Sequence, residues 1–170
     1  PRGLLRAARL VTLAACFGWA AYVLASWVLL WNPAVAGAYY DAAVRMTSGE
    51  NLYAPMHPDA HEVYRYAPWF AVAWIPLTLL PRDLALHLWS LAMLACSVVA
   101  VWPLFRRGTP AALGLGALLG AFLAETSMFG NALPAIVAAL VAAVGTRWLP
   151  VVVGITASVK LVPILFVLPW

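Results

Sequence analysis

Long apolar runs alternate with short polar breaks along this chain, and the lengths of these runs predict membrane helices. The first run covers residues 10–31 and follows Arg2, Arg6 and Arg9. A helix of these 22 residues would rise about 33 Å, and the hydrocarbon core of a bilayer is about 30 Å thick. The run is too long for the apolar region of a cleaved signal peptide. We therefore expect a first transmembrane helix, with the arginines and the N-terminus in the cytoplasm.

The next segment, residues 32–66, is polar and contains four of the six acids and five of the six tyrosines. Irregular polar backbone cannot face lipid, so the segment predicts an extracytoplasmic loop. Within it, residues 38–46 have the composition of a short interfacial helix, and residues 48–51 predict a turn.

Residues 67–80 are apolar but number only 14, and prolines interrupt and bound them. A helix of that length rises about 21 Å, which favours a juxtamembrane or re-entrant helix over a full span. If the segment did cross, the next helix would deliver Arg106 and Arg107 to the outside. If it does not, the pair lies in the cytoplasm, in keeping with the positive-inside rule, and Arg82 lies outside. We prefer the second topology.

The remaining runs predict four more helices, and the whole pattern predicts a polytopic, all-α transmembrane bundle. The predicted helices are residues 84–104, 111–124, 132–145 and 149–159, with an outer turn at 125–131. Residues 1–170 then form a single membrane domain. Because the chain begins at Pro1 and stops at Trp170 inside an apolar run, we expect a fragment truncated at both ends.

Composition supports lipid as the solvent and excludes several other classes of protein. The chain is 65% hydrophobic and 9% charged, with a mean hydropathy of +0.92, whereas soluble domains carry about 25% charged residues. Its arginines are scattered, so we expect no nucleic-acid partner. Both cysteines lie in apolar runs, which predicts small buried hydrophobes and no disulfide. His57, Asp59 and His61 could ligate a divalent metal, but their spacing favours a solvated loop, and we expect no cofactor.

Lys160, the only lysine, is the main candidate for chemistry, because it interrupts an apolar run three residues before Pro163. A cation in such a run indicates function by default, and the alternative is a lysine that extends its ammonium group to the interface. Arg65 lies between Tyr64 and Tyr66 and could hold a lipid phosphate beside aromatic rings, or belong to an ordinary interfacial belt. Glu125, in the predicted outer turn, is the other isolated candidate.

Several short motifs together resemble glycosyltransferase family 87. These enzymes are polyprenol-phosphate-mannose-dependent mannosyltransferases of the GT-C superfamily. The motifs, which cover most of the chain, are Tyr39-Tyr40-Asp41-Ala42-Ala43, Ser48-Gly49-Glu50-Asn51-Leu52-Tyr53, Tyr66-Ala67-Pro68-Trp69, Ile75-Pro76-Leu77, Phe129-Gly130-Asn131-Ala132-Leu133 and Ser158-Val159-Lys160-Leu161-Val162-Pro163.

The resemblance implies transfer of a sugar from a polyprenyl-phosphate donor to a lipid or glycan acceptor of the bacterial cell envelope, at the outer face of the plasma membrane. It implies that Lys160 binds the donor phosphate, and Arg65, because of its aromatic neighbours, is the second candidate for binding that phosphate. The substrate-binding residues would be Tyr39, Tyr40, Tyr64, Tyr66 and Asn131. An aspartate in the first outer loop would be the general base.

This chain departs from the family at the position of that aspartate. The matching residue here is Val35, and no acid occurs between Trp31 and Asp41. Asp41 or Glu125 could take the catalytic role. Alternatively the chain is a catalytically silent membrane subunit of the same fold that binds lipid or a partner protein. A small transporter is a third possibility, since short, proline-interrupted helices permit it.

Overall fold

The structure, a computed structural model, describes residues 2–29, 31–54 and 64–160, and all regular structure within these ranges is helical. The described residues form seven α-helices and one 3-10 helix. In chain order these are α1 (Arg2–Leu29), α2 (Ala34–Ser48), α3 (Pro68–Trp74), the 3-10 helix (Ile75–Leu79), α4 (Arg82–Arg107), α5 (Pro110–Met128), α6 (Leu133–Ala143) and α7 (Leu149–Val159). The prediction of an all-α fold is confirmed for the described part of the chain.

Two of the helices, α4 with 26 residues and α5 with 19, are long and apolar enough to cross a membrane. Shorter apolar stretches are Leu13–Trp27, Pro68–Leu79, Leu133–Ala143 and Leu149–Val159. Within the described ranges the chain therefore contains membrane-compatible helices, and two of these have full-span length.

Local sequence explains where α4 and α5 begin and end. Asp83 lies in the first turn of α4, and Arg106 and Arg107 lie in its last turn. At both ends these charges interact favourably with the helix dipole. The α5 helix starts with Pro110 at its first position, and the Thr109 side chain accepts a hydrogen bond from the Ala112 amide at 3.3 Å.

The bundle core is built from α1, α4, α5 and α6. The α4 helix packs against α5 and α6, and α1 packs against α5. Along the α1–α5 interface, Cys16 Sγ lies 3.6 Å from the Gly114 carbonyl, and further along both helices Val23 packs with Ala121 and Ala124. These two helices therefore run parallel, which places the end of α1 beside the end of α5.

The segment 67–80 packs on α2. It contains α3 and the 3-10 helix, both of which contact α2. Their combined rise is about 20 Å, less than a bilayer core. The expectation that this segment does not span the membrane remains a prediction.

Two predicted boundaries are wrong. The short helix expected at residues 38–46 is the longer α2, Ala34–Ser48. Residues 125–131 were expected to form a turn, but α5 continues to Met128 and the turn comprises only residues 129–132. Within this last turn the Thr126 and Ser127 hydroxyls bond back to the Leu123 carbonyl, at 2.9 and 2.8 Å, so these polar side chains find a partner without ending the helix.

Candidate functional site

The α5–α6 turn and the start of α2 meet at one end of the bundle. The Val35 and Ala36 amides both donate to the Phe129 carbonyl, at 3.1 and 3.3 Å. From α4, Trp89 Nε1 donates to the Gly130 carbonyl at 2.8 Å. Three elements that are distant in sequence are thus joined at this turn by backbone carbonyls.

Gly130 makes this junction possible. Its φ is +69°, and a Cβ at this position would lie 2.4 Å from the Ala36 Cβ and 3.1 Å from the Ala36 amide nitrogen. Glycine is the residue that both tolerates a left-handed backbone and leaves room for α2.

Lys160 lies at the same junction. It follows the last residue of α7, and its ammonium Nζ is 3.5 Å from Asn131 Oδ1. The same amide oxygen accepts a hydrogen bond from the Leu133 backbone at 3.0 Å, which fixes Asn131 at the start of α6. The structure therefore brings together two residues predicted from separate motifs, the donor-phosphate candidate and a substrate-binding candidate.

Asp41, a candidate catalytic base, is paired with Arg82 at the start of α4. Arg82 Nη2 lies 3.2 Å from Asp41 Oδ2, and Arg82 Nε lies 3.4 Å from Oδ1. The side chains are 22% exposed for Asp41 and 46% for Arg82. The pair thus borders solvent and orients the carboxylate of Asp41 toward α4.

An aromatic cluster lies beside the Lys160–Asn131 contact and centres on Tyr39. The Tyr39 ring makes edge contacts with Tyr66 at 4.8 Å, Phe70 at 5.1 Å and Trp74 at 5.4 Å between ring centroids. Tyr64 and Trp89 complete the cluster at 6.4 and 6.2 Å from Tyr39. Edge-to-face contacts of this kind stabilise a core beyond area burial, and Tyr39 is fully buried.

Burial raises the pKa of Tyr39, and the neighbouring Tyr66 raises it further. Burial likewise raises the pKa of Tyr64 and of Tyr66. These three phenols therefore stay neutral at physiological pH and cannot act as proton acceptors. The Tyr39 hydroxyl lies near Tyr66 and the Ala132 backbone, but no atom meets hydrogen-bond geometry with it in the described part of the chain.

The remaining candidates are more dispersed. Tyr40 donates to the Leu80 carbonyl at 3.2 Å and so ties α2 to the end of the 3-10 helix. Arg65 is exposed, and Glu125 is half-buried in α5. In the described part of the chain neither side chain has a hydrogen bond or ion pair to Lys160 or Asp41, and the substrate and catalytic roles stay predictions.

Metal binding has no candidate group among the described residues, which contain no cluster of three or more His, Cys, Asp or Glu side chains. The sequence-based candidates His57, Asp59 and His61 lie outside the described ranges.

Two residues at this end of the bundle were not predicted to take part. Arg82 had no predicted role beyond its place in the topology, yet it is the partner of Asp41. An acid and an arginine in neighbouring polar segments can pair, and this is the signal that could have found them. His87 stacks on Trp31, with ring centroids 3.7 Å apart, and no sequence motif indicates that contact.

An apolar groove with a volume of about 220 Å³ lies between α1, α4 and α5. Small residues form its floor, among them Gly116, Gly120 and Ala121. It begins about one turn beyond Trp89 along α4 and runs to Phe105, away from Lys160.

Comparison of the chain with protein-family models, with curated proteins and with solved structures gives no match.

Proposed function

We propose that this chain belongs to a membrane glycosyltransferase of the GT-C type. It would move a sugar, mannose by the sequence resemblance, from a polyprenyl-phosphate donor to a lipid or glycan acceptor of the bacterial cell envelope. The observation that carries the proposal is the contact between Lys160 and Asn131, 29 residues apart in sequence, at a junction of α2, α4, α6 and α7.

The arrangement of helix ends supports an outward-facing site in a polytopic bundle of the plasma membrane. Lys160, Asn131 and the start of α2 lie at one end of the bundle. Arg106 and Arg107 lie at the opposite end of α4 from Arg82. By the positive-inside rule the arginine pair marks the cytoplasmic end, and α1, parallel to α5, then starts in the cytoplasm.

Lys160 would bind the donor phosphate. Its side chain is half-buried, and Asn131 offers it only one neutral oxygen at 3.5 Å. No carboxylate of the described residues lies within 4.0 Å of its ammonium group. A phosphate would supply the missing counter-charge and would be stabilised as negative charge develops on it during sugar transfer.

The general base would be Asp41, with Glu125 as the alternative. Arg82 holds the Asp41 carboxylate through two contacts and so fixes its orientation. A general base must be oriented toward the acceptor hydroxyl whose proton it takes. The absence of an acid at Val35 favours a second candidate function, a silent subunit that binds the donor lipid without transferring the sugar.

The test is transfer of radiolabelled mannose from polyprenyl-phosphate-mannose by the full-length protein in nanodiscs. We expect Lys160→Met to reduce transfer by at least about tenfold while leaving membrane insertion intact, and Lys160→Arg to restore part of it, because a planar fork replaces a compact charge. Asp41→Asn should abolish transfer without weakening donor binding.

Matched changes at Glu125 decide between the two carboxylates. If Glu125→Gln abolishes transfer and Asp41→Asn does not, the base is Glu125. If the protein binds donor lipid but transfers no sugar, it is the silent subunit. Failure to bind the donor at all, under conditions where the protein is folded, would contradict both candidate functions.

A further inference from the structure

The apolar groove between α1, α4 and α5 is open to the outside of the bundle. Its rim side chains Phe17 and Val98 are 65% and 57% exposed. Of the described residues that line the groove, Ser97 alone is polar, and its hydroxyl already donates to the Met93 carbonyl at 3.0 Å. A polar occupant would find no unpaired side chain among these residues, so the part of a ligand that lies in the groove must be apolar.

The length of the groove matches one leaflet of a bilayer. It extends along α4 from Leu94 to Phe105, which is 11 residues and a rise of about 16 Å. The hydrocarbon core of a bilayer is about 30 Å thick, so one leaflet contributes about half of that. If α4 crosses the membrane, as its length and composition allow, the groove lies beside the acyl chains of a single leaflet.

The groove is too narrow for another helix. A helix with its side chains is about 10–12 Å across, and two helices approach closely where small residues leave the backbone uncovered. Here side chains of α4 already cover the glycines. A Cβ at Gly116 would lie 3.3 Å from the Phe105 ring, and a Cβ at Gly120 would lie 3.7 Å from Val101. The remaining space of about 220 Å³ suits a thin, flexible hydrocarbon chain.

A pair of arginines lies at one end of the groove. Arg106 and Arg107 directly follow Phe105, and both are exposed. The acids of the described residues lie on α2, at the start of α4 or near the end of α5, away from this pair: Asp41, Glu50, Asp83 and Glu125. Neither arginine therefore has a carboxylate partner within the described ranges. The end of the α4 dipole supplies only a partial negative charge, which leaves the pair able to bind an anion.

We propose that the groove and the arginine pair form one binding site for an anionic phospholipid. One acyl chain lies in the groove between Phe105 and Leu94, and Arg106 and Arg107 hold the phosphate group through charge-assisted hydrogen bonds. A phospholipid fits because its charge lies at the membrane surface and its chains extend one leaflet deep from that charge.

This lipid site is separate from the proposed donor site. Lys160 lies at the opposite end of the bundle, beside the turn that Trp89 contacts near the start of α4. The lipid site requires that α4 and α5 cross the membrane, but it requires neither Lys160 nor sugar transfer. It can therefore exist in an active transferase and in a silent subunit alike, which takes the inference beyond the proposed function.

The test compares two phospholipids with the same acyl chains and different headgroup charge. Palmitoyl-oleoyl phosphatidylglycerol and palmitoyl-oleoyl phosphatidylcholine are titrated separately into the full-length protein in detergent, and native mass spectrometry counts the bound lipid. We expect one saturable site that binds the phosphatidylglycerol at least about tenfold more tightly. The double variant Arg106→Gln with Arg107→Gln should lose this preference, because each arginine near a membrane surface contributes about fivefold to the binding of an anionic lipid.

A second variant blocks the groove and leaves its charges in place. Gly120→Leu adds a side chain inside the groove, and its Cβ has ordinary contact distance to Val101. We expect both lipids to bind about tenfold more weakly, because the acyl chain loses its contacts with the groove walls. Gly154→Leu in α7 is the matched control, since Gly154 lies outside the groove and nothing lies within 4 Å of its added Cβ. Circular dichroism checks that both variants are folded.

Two further variants separate this site from other charges. Arg147→Gln removes an exposed arginine that lies outside the groove, with its guanidinium carbon 5.3 Å from the centre of the Trp148 ring. It should leave the binding of phosphatidylglycerol unchanged. Lys160→Met should also retain this binding, even if it eliminates use of the donor lipid. A failure of the proposed function is thereby distinguishable from a failure of this inference.

Four results would overturn the assignment. The first is equal affinity of the wild-type protein for the two lipids. The second is an equal loss of affinity in Arg147→Gln and in the double arginine variant, which would indicate diffuse attraction to surface charge. The third is unchanged lipid binding by folded Gly120→Leu protein. The fourth is displacement of phosphatidylglycerol by millimolar glycerol 1-phosphate, which would show that the arginines bind a free phosphate and that the groove contributes nothing.

Discussion

At the residue scale, Gly130 leaves no room for a side chain. The α2 helix approaches its Cα so closely that an added methyl group would overlap Ala36 at 2.4 Å. The Ala36 Cβ cannot move independently of its backbone, so α2 itself would have to shift. That shift would weaken the hydrogen bonds that the first amides of α2 donate to the Phe129 carbonyl. The effect would spread from one residue to the whole junction.

We predict that Gly130→Ala destabilises the protein strongly. The left-handed backbone, with φ of +69°, costs an alanine about 1–2 kcal/mol, and the overlap with α2 adds to this. Gly145→Ala is the matched control, since Gly145 has φ of +77° and nothing lies within 4 Å of its added Cβ. The measurement is the thermal midpoint in detergent, followed by size-exclusion chromatography. Equal losses for the two variants would mean that steric contact with Ala36 contributes nothing.

The individual site residues were easier to predict than their partners. Lys160 was identifiable because a cation in an apolar run is costly, and Asn131 because it belongs to one of the motifs that resemble glycosyltransferase family 87. Their contact was not predictable, because it depends on how α6 and α7 pack. For Tyr39, the motif gave a substrate role, whereas the packing places its ring in the core. Sequence pattern alone does not distinguish a buried tyrosine from an accessible one.

At the scale of elements, the packing of α4 on α5 depends on small residues. Along this interface Gly116 faces the last turns of α4. A Cβ there would lie 3.3 Å from the Phe105 ring and 3.4 Å from the Leu104 Cβ. Close backbone approach at small residues is a common source of association between membrane helices.

We predict that Gly116→Val weakens the α4–α5 interface by about 1–3 kcal/mol, the usual cost of overpacking. Gly154→Val in α7 is the matched control, because it makes the same change in helix propensity with nothing within 4 Å of the added Cβ. Thermal unfolding in the same detergent gives the difference between the two variants. If the control loses as much stability as Gly116→Val, helix propensity alone accounts for the effect.

Most helices could be predicted from the apolar runs, because prolines and glycines mark their ends. The end of α5 was predicted too early because Glu125, Thr126 and Ser127 have the composition of a turn. The Thr126 and Ser127 hydroxyls instead bond back to a carbonyl within the helix. The 3-10 helix at Ile75–Leu79 was missed for a different reason. Pro76 excludes a regular α-helical hydrogen bond, but it leaves several tighter conformations open, and contact with α2 selects among them.

At the scale of the whole molecule, the two ends of the bundle differ in character. One end contains the Lys160–Asn131 contact and the Asp41–Arg82 pair. The other end carries Arg106 and Arg107 at the end of α4. If α4 and α5 cross the membrane, this difference assigns the first end to the extracytoplasmic side.

The last prediction concerns that orientation. In a background with Cys16→Ala and Cys96→Ala, single cysteines at Asn51 and Phe129 should react with a membrane-impermeant maleimide added to intact cells. Both positions are exposed, and the backbone contacts of α2 with Phe129 place the start of α2 and this turn at one end. A cysteine at Thr109, exposed in the α4–α5 connection, should react only after permeabilisation, because the 19 residues of α5 rise about 28 Å between it and Phe129.

Labelling of Thr109→Cys from outside together with protection of Phe129→Cys would show that the bundle has the opposite orientation in the membrane. Lys160 would then face the cytoplasm, and the donor would have to be a cytoplasmic lipid phosphate. Labelling of all three sites in intact cells would instead show that α5 does not cross the membrane.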